Sequence, residues 1–106
     1  MARELLPQRR GSETFLLDWG GYGSPHTVTC GFYDDGRLGE VFISSGKSGE
    51  LVEAIARDGA ILLSIALQNG AKLSDISHAI TRDSQNKPQS IVGAVVDRLM
   101  EINHAG

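Results

Sequence analysis

Cysteine is almost missing from this chain of 106 residues, because Cys30 is the only one. A single cysteine excludes an internal disulfide, and it excludes zinc sites that need two or four cysteines from one chain. The three histidines, His26, His78 and His104, lack the spacing of metal ligands. The sequence therefore predicts no metal and no cofactor, and it is typical of a protein from a reducing cytoplasm.

Long apolar runs and a basic excess are also missing. The longest apolar stretch, residues 54–67, is interrupted by Arg57, Asp58 and Ser64, so no membrane span is expected. The N-terminal residues are charged and do not resemble a secretory signal. The net charge of −3 disfavours binding to nucleic acid by counterion release. These features predict a cytoplasmic protein without membrane contact, for which nucleic acid is not the expected partner.

The length and composition indicate one globular domain. Hydrophobic residues make up 41% of the chain and charged residues 22%, as in ordinary folded proteins. Residues 1–12 are polar and basic and contain Pro7 and Gly11, so they predict a flexible basic arm. Residues 13–106 are predicted to form a single domain.

The first half of the chain has the pattern of three strands. The segment "ETFLLDW", Glu13 to Trp19, is rich in aromatic and aliphatic residues and predicts a first strand. In "HTVTCGFYDDGRLGEVFIS", residues 26–44, apolar side chains alternate with small polar ones. Asp35-Gly36 is a favoured pair for a tight hairpin turn. A three-stranded antiparallel meander is the expected result.

From Gly49 onward the apolar residues recur at intervals of three and four, which predicts a helix of about twenty residues. Ser48 is its expected N-cap, and Asn69-Gly70 is expected to end it. Gly59 lies on the apolar side, which predicts close approach of another element. One broad face is expected to be buried: Leu51, Val52, Ile55, Gly59, Leu62, Leu63, Ala66 and Leu67.

Two shorter helices are expected after it. "KLSDISHAI" predicts a helix capped by Ser74, and Pro88 predicts the first turn of a last helix. The buried side of that last helix is expected to be Ile91, Val92, Val95, Leu99 and Ile102. The predicted fold class is α+β, a three-stranded antiparallel meander followed by three helices packed on one sheet face.

Gly46, Lys47, Ser48 and Gly49 form the most suggestive short motif, because they link a strand to a helix as phosphate-binding loops do. The true P-loop requires a further glycine five positions before Gly46, and Val41 stands there. Two interpretations stay open. The motif is a structural corner, or it binds a nucleotide or another phosphorylated metabolite with Lys47 beside the helix N-terminus.

The segment "SIALQNGAKLSDISHAI" has the general form of a helix-turn-helix. A DNA reader needs its second helix supplied with basic or amide side chains. Ser74, Asp75, Ser77 and His78 stand there instead, and Arg82 follows only at the end. A plain helical corner is the preferred interpretation, with DNA binding as the alternative.

No catalytic residue is predicted. Cys30 and His26 lie on the same face of one predicted strand but roughly 13 Å apart, too far for a thiolate–imidazole pair. Asp34 and Asp35 belong to the predicted turn. Nothing in the sequence combines a nucleophile, a base and oxyanion donors, so Cys30 is expected to be a small buried side chain.

The chain resembles the TSCPD domain in the order of four segments. They are "VTCGFYDDGRLGEVFISSGKSG", "AILLSIALQNGAKLSDISHAI", a polar stretch and a last helix. That domain is found near the C-terminus of adenosylcobalamin-dependent ribonucleotide reductases and as small stand-alone proteins. The likeness covers about residues 27–99. The name-giving Thr-Ser-Cys-Pro-Asp string is not retained, because Gln89-Ser90-Ile91-Val92-Gly93 stands in its place and matches only at Ser90.

The resemblance implies an accessory module rather than a reductase. Ribonucleotide reduction in that family needs a radical-forming cysteine and a separate reducing pair, and this chain has one cysteine. The first hypothesis is therefore a non-catalytic module that associates with itself, as a homodimer, or with a protein such as a ribonucleotide reductase subunit. Phe15 and Trp19 are the residues predicted for the interface. The alternative is a regulatory domain that binds a nucleotide at Gly46–Gly49.

Overall fold

The computed structural model describes residues 2–19, 25–44 and 50–102. Three strands come first in the chain, and three helices follow them. The elements are β1 (Ser12–Leu17), β2 (His26–Phe32), β3 (Leu38–Ser44), α1 (Glu50–Gln68), α2 (Leu73–Ala79) and α3 (Ile91–Ile102). Both strand pairs are antiparallel, and the sheet order is β1-β2-β3. The predicted α+β meander with three following helices is confirmed.

The β2–β3 hairpin closes through the predicted Asp-Gly pair. Gly36 has a φ of 90°, a conformation that glycine adopts without steric cost. Its N–H donates to the Tyr33 carbonyl at 2.9 Å, and the Tyr33 N–H donates to the Arg37 carbonyl at 2.8 Å. The Asp35 carboxylate accepts the Arg37 N–H at 3.1 Å. The turn residues therefore fix the register that puts alternate strand residues on one face.

One sheet face packs on the helices and forms the core. Register pairs Phe15 with Val28 and Val28 with Ile43, so these side chains share a face. The fully buried cluster is Val28, Cys30, Leu38, Val41, Ile43, Ala56, Ala60, Leu63, Leu73, Ile91, Val95, Val96 and Leu99. Burial of these apolar groups is the main favourable term in folding.

Helix α1 lies along the outer edge of β3 and satisfies its backbone. The Val41 N–H donates to the Ser64 hydroxyl at 2.8 Å, and the same hydroxyl lies 3.0 Å from the Val41 carbonyl. Gln68 donates from Nε2 to the Gly39 carbonyl at 3.0 Å. An edge strand normally presents unpaired N–H and C=O groups to solvent. Here one face of α1 caps part of that edge.

Both predicted glycine roles in α1 are confirmed. Gly70 has a φ of 94°, and the Ala71 N–H donates to the Ala66 carbonyl at 3.0 Å, as in a glycine C-cap. A Cβ added at Gly59 would collide with Cγ2 of Val92 on α3. The glycine therefore permits the close crossing of α1 and α3 that its position on the apolar side predicted.

The starts of α2 and α3 differ from the prediction. Helix α2 begins at Leu73 after Lys72, which makes no side-chain cap, so Ser74 lies inside the helix. Helix α3 begins at Ile91 because Ser90 is the residue that caps it, accepting the Gly93 N–H at 3.0 Å. Pro88 lies before the helix and pairs instead with Arg82 in an isolated antiparallel bridge.

The predicted buried face of α1 is wrong in part. Leu51, Ile55 and Leu62 are 73%, 56% and 68% exposed. The residues that pack inward are Ala56, Ala60 and Leu63 together with the edge-capping Ser64 and Gln68. The buried side of α1 is rotated about the helix axis relative to the predicted one, because α1 packs against the edge of β3 as well as the sheet face. A second apolar side of the helix is left uncovered.

The first residues of the chain lie against this body. The Glu4 N–H donates to the Gln68 carbonyl at 2.8 Å, and Arg3 donates from Nε to the Gln68 side-chain oxygen at 2.6 Å. Arg10 forms an ion pair with Glu40. The division into a flexible arm of residues 1–12 and a domain of residues 13–106 stays a prediction.

Candidate functional site

The predicted anion-binding residues, Gly46, Lys47, Ser48 and Gly49, lie outside the described residues. On either side of them β3 ends at Ser44 and α1 begins at Glu50. The strand and the helix on which the motif prediction depends are therefore both present. The binding role of the loop itself stays a prediction.

His26 is the most unusual polar residue near that end of the sheet. It is 1% exposed, and neither imidazole nitrogen has a hydrogen-bond partner within residues 2–19, 25–44 and 50–102. It precedes Thr27, which pairs with Ser44, the last residue of β3. A buried imidazole without a partner is costly. A hydrogen-bond partner for the His26 imidazole would therefore have to come from outside the described residues.

Cys30 is buried in the core, as expected for a small apolar side chain. Burial raises the pKa of its thiol to about 11, and the nearby Glu13 carboxylate contributes in the same direction. The reactive form of cysteine is the thiolate. At neutral pH this side chain is a protonated thiol without the activation that a nucleophile needs.

We expect the native thiol to resist alkylation. A pKa of about 11 in place of 9.0 lowers the thiolate fraction at pH 8 by about 100-fold, and burial slows access further. Iodoacetamide labelling followed by mass spectrometry should therefore be at least about 100-fold slower in the native protein than in urea. Equal rates in the two states would contradict the burial and the raised pKa of Cys30.

The predicted interface residues, Phe15 and Trp19, lie on the core side of the sheet. Both are partly buried and pack against the core cluster. The Arg98 guanidinium lies 5.7 Å from the centroid of the Phe15 ring. Their role as an interface patch stays a prediction, and the larger exposed apolar surface lies elsewhere.

The larger exposed apolar surface is the outer side of α1. At 3.6 residues per turn, positions 51, 55, 58, 61, 62 and 65 fall within about 120° of arc. We call this side the α1 outer face: Leu51, Ile55, Asp58, Ile61, Leu62 and Ile65. All but Asp58 are large aliphatic residues, and every one is exposed. A helix that is apolar on nearly all sides is normally buried on all sides.

A groove continues the α1 outer face towards β3. It has a volume of about 520 Å³ and is lined by Phe42, Ile43, Ala60, Ile61, Ser64 and Ile65, among others. Arg3 and Arg57 also line it. Each of these arginines is already paired, Arg3 with Gln68 and Arg57 with Glu53 at 2.7 Å. Ile61 and Ile65 belong both to the groove and to the α1 outer face, so the apolar surface is continuous.

The sheet face opposite the core is more polar. Thr14 and Thr29 are hydrogen-bonded through their hydroxyl groups at 3.1 Å. Leu16 is 65% exposed there and Phe42 55%. Antiparallel sheets commonly leave one face to water, so this surface alone does not indicate a partner.

Arg82, the arginine that follows helix α2, is held within the protein and is not free to read DNA. The Arg82 guanidinium donates to both carboxylate oxygens of Asp97 at 2.8 Å and to the Ser77 carbonyl at 2.8 Å. The Arg82 side chain therefore joins α2 to α3, and it lowers the pKa of Asp97. The arrangement fits the helical corner that the sequence favoured over a DNA reader.

Neither a metal cluster nor a membrane helix is found in the described parts of the chain. No group of three or more histidine, cysteine, aspartate or glutamate side chains there could hold a metal ion. None of the helices within those parts is long and apolar enough to span a bilayer.

Comparison with known proteins gives one consistent result. The sequence matches the TSCPD domain over residues 3–103. It is 38% identical over 79 residues to the vitamin B12-dependent ribonucleotide reductase of Bradyrhizobium diazoefficiens, a match that covers 74% of this chain and 6% of that protein. The reductase of Agrobacterium fabrum is 37% identical over 79 residues, with the same two shares. That of Rhodopirellula baltica is 34% identical over 102 residues, 90% of this chain and 10% of the reductase.

The chain therefore spans a tenth or less of the curated relatives named above. No solved structure matches it significantly. The resemblance drawn from the hairpin and the α1–α2 corner is confirmed.

Proposed function

The chain belongs to the TSCPD domain family, and from that premise we propose that it is a non-catalytic accessory module that works by binding another protein chain. The observation that carries the proposal is the α1 outer face. Five large aliphatic side chains are exposed along one side of one helix, whereas soluble monomers normally scatter such residues singly. A surface of this kind is typical of a protein interface.

The exposed apolar area of the α1 outer face is large enough to drive binding. The exposed parts of these five residues amount to about three complete aliphatic side chains. Complete burial of one such side chain contributes roughly 1.5–3 kcal/mol. The α1 outer face can therefore supply roughly 5–9 kcal/mol to an association, part of which offsets the entropy that binding removes.

The relatives support the same interpretation. Their matching segment is 6–10% of a much longer reductase chain, so a module of this kind has other protein around it there. The vitamin B12-dependent ribonucleotide reductase is therefore the first partner to test. The buried, protonated Cys30 and the lack of a second cysteine favour an accessory role over a catalytic one.

Binding to a purified B12-dependent reductase from the same cells tests the proposal. We expect biolayer interferometry to show saturable binding by the wild type and at least about tenfold weaker binding by Leu62→Asp. Leu16→Asp is the matched control, because Leu16 and Leu62 are 65% and 68% exposed on different surfaces. Binding equally reduced in both variants would count against the α1 outer face as the binding surface. No binding by the wild type at 100-fold molar excess would count against the reductase as partner.

A second candidate function is binding of a nucleotide or another phosphorylated metabolite at Gly46–Gly49. The buried His26 favours it, because its ring nitrogens have no hydrogen-bond partner among the described residues and it lies at the sheet end from which the motif continues. The motif also precedes the N-terminus of a 19-residue helix, whose dipole attracts anions.

Thermal-shift measurements with nucleotides and inorganic phosphate test this candidate. We expect stabilisation of the wild type, loss of it in Lys47→Ala, and retention in Lys87→Ala, a lysine from the loop before α3. Stabilisation that survives in Lys47→Ala would place the ligand elsewhere, and no stabilisation by any phosphate compound would leave the motif a structural corner.

A further inference from the structure

The two edges of the sheet are covered differently. At the β3 edge, α1 supplies side chains to the backbone. The Ser64 hydroxyl accepts the Val41 N–H at 2.8 Å, and Gln68 donates to the Gly39 carbonyl at 3.0 Å. β1 forms the opposite edge, and no described strand pairs with it on the side away from β2. An edge of this kind presents a row of N–H and C=O groups with which another chain can pair.

The hydrogen bonds around β2 show how its backbone is oriented. The Phe32 N–H donates to the Gly11 carbonyl at 3.0 Å, so the even-numbered residues of β2 direct their backbone groups towards β1. The β3 side of the sheet agrees with this. Val41 directs its N–H to α1 and not to its register partner Cys30, so the backbone groups of Cys30 also face β1.

Three residues of β1 consequently have their backbone groups on the open side. The register partners of the even-numbered β2 residues are Glu13, Phe15 and Leu17, and these bond to β2. Because the bonding direction alternates along a strand of an antiparallel pair, the residues between them point their N–H and C=O groups away from β2. We call these groups the β1 free edge: the backbone N–H and C=O of Ser12, Thr14 and Leu16. No backbone hydrogen bond from another described segment reaches them.

Two apolar side chains and one acid lie next to the β1 free edge on the core side of the sheet. Phe15 and Leu17 are only partly buried where they pack against the core cluster. Glu13 is exposed and forms no ion pair with any residue that the structure describes. On an added antiparallel strand, the residues opposite these three form non-hydrogen-bonded pairs, in which side chains lie closest together.

These features specify the chemistry of the occupant. An extended polypeptide presents N–H and C=O groups that alternate at the spacing of the β1 free edge. Opposite charges across a strand pair are favourable and like charges are not, so Glu13 selects a basic side chain. A second copy of β1 offers none, because its own residues on the core side are Glu13, Phe15 and Leu17. The occupant that fits is a strand from a different protein.

We propose that the β1 free edge binds an extended segment of a partner protein by strand addition. A lysine or arginine of that segment lies opposite Glu13, and apolar side chains lie beside Phe15 and Leu17. This inference goes beyond the proposed function, because β1 and the α1-capped strand β3 are at opposite edges of the sheet. A short strand with few side-chain contacts binds weakly, with a dissociation constant on the order of 100 µM.

Two synthetic peptides serve as probes of the edge. The lysine peptide is Thr-Val-Thr-Val-Thr-Lys-Thr, blocked at both ends, which places lysine opposite Glu13 when its valines lie opposite Leu17 and Phe15. The glutamate peptide has glutamate in place of the lysine. By fluorescence anisotropy, the wild type should bind the lysine peptide at least about threefold tighter than the glutamate peptide. Glu13→Lys should reverse this preference. Absence of binding by both peptides at 1 mM, or a preference that does not depend on Glu13, overturns the proposal.

Thr14→Pro tests the backbone contact. The Thr14 N–H points away from β2, and proline is tolerated in an edge strand at such a position. We expect the variant to stay folded by circular dichroism and to bind the lysine peptide at least about tenfold more weakly. Thr29→Val is the matched control, because it removes the same Thr14–Thr29 hydroxyl contact from the β2 side. Its affinity should stay within twofold, and equal losses in the two variants would contradict the edge as the binding surface.

Amide hydrogen exchange measured by NMR gives a readout that needs no variant. In the free protein, the Thr14 and Leu16 amides should exchange faster than the Phe15 amide between them. The lysine peptide at 1 mM should slow both by about tenfold, the factor expected for a ligand at ten times its dissociation constant. Slow exchange without peptide would show that the chain itself covers the edge. Slowing that grows with protein concentration would show that a second copy does. Either result overturns the proposal.

Strand addition and the reductase proposal fail separately. A protein that binds the reductase through Leu62 but binds neither peptide overturns strand addition and leaves the accessory function intact. A protein whose Thr14 and Leu16 amides are protected by the lysine peptide, but which binds no reductase, supports strand addition and removes the reductase as partner.

Discussion

Ser64→Ala should lower the free energy of unfolding by about 1–3 kcal/mol, although it removes a single oxygen atom. The Ser64 hydroxyl accepts the Val41 N–H at 2.8 Å and lies 3.0 Å from the Val41 carbonyl, and all three groups are buried. The hydroxyl has one proton to donate, and the Ala60 carbonyl, at 2.8 Å, competes for it with the Val41 carbonyl. The group that alanine leaves without its partner is therefore the buried Val41 N–H. Each buried polar group that loses its partner costs about 1–3 kcal/mol. Urea titration followed by circular dichroism measures the change.

The control for Ser64→Ala is Ser84→Ala, a serine exposed in the loop before α3. Its replacement should change the free energy of unfolding by less than about 0.5 kcal/mol. A second readout is hydrogen exchange of the Val41 amide, which should become faster in Ser64→Ala by more than the amides at the centre of β2. If Ser64→Ala is as stable as the control, the edge of β3 does not depend on this hydroxyl.

The strands, the order of elements and the end of α1 could be predicted from the sequence because each depends on local chemistry. The Asp35-Gly36 pair specifies the hairpin turn, and Asn69-Gly70 specifies the end of α1. The start of α3 was placed too early because proline and serine both favour helix starts. Ser90, whose hydroxyl reaches the Gly93 N–H, is the residue that caps the helix.

The orientation of α1 could not be predicted in the same way. Its apolar residues cover nearly the whole helix, so the interval pattern admits more than one buried face. The expected face included Leu51, Ile55 and Leu62, which are exposed. The decisive residues are polar, because Ser64 and Gln68 bond to β3 and turn the helix. A serine and a glutamine four residues apart in an apolar helix are the signal that could have indicated an edge cap.

The features of the candidate site also differ in whether the sequence could predict them. Burial of Cys30 was predictable, because an isolated cysteine in an alternating strand is usually a small core residue. The α1 outer face was not, because three of its residues, Leu51, Ile55 and Leu62, were assigned to the core. Once the inward side of α1 is known, the remaining side of the helix is seen to be apolar and exposed, and this is the surface that we propose for binding protein.

The tight contact between α1 and α3 holds that helix in position, and it leads to the second prediction with a large effect. Gly59→Ala should destabilise the protein by about 1–2 kcal/mol, even though alanine favours a helix over glycine by about 1 kcal/mol. The added Cβ collides with Cγ2 of Val92, a short branched side chain with little room to move. Overpacking costs about 1–3 kcal/mol, and a direct collision with a branched side chain belongs in the upper half of that range, so it outweighs the gain in propensity.

The Val92→Ala background should reverse the sign of this effect. With Cγ2 of Val92 removed, the alanine at position 59 no longer collides, and its helix propensity should stabilise the protein by about 0.5–1 kcal/mol. The coupling between the two substitutions, measured by urea unfolding of all four proteins, is expected to be about 2–3 kcal/mol. Additive effects would mean that α1 and α3 do not meet at Gly59. The crossing that fixes which side of α1 faces outward would then be wrong, and the docking surface would have to be assigned to another part of the molecule.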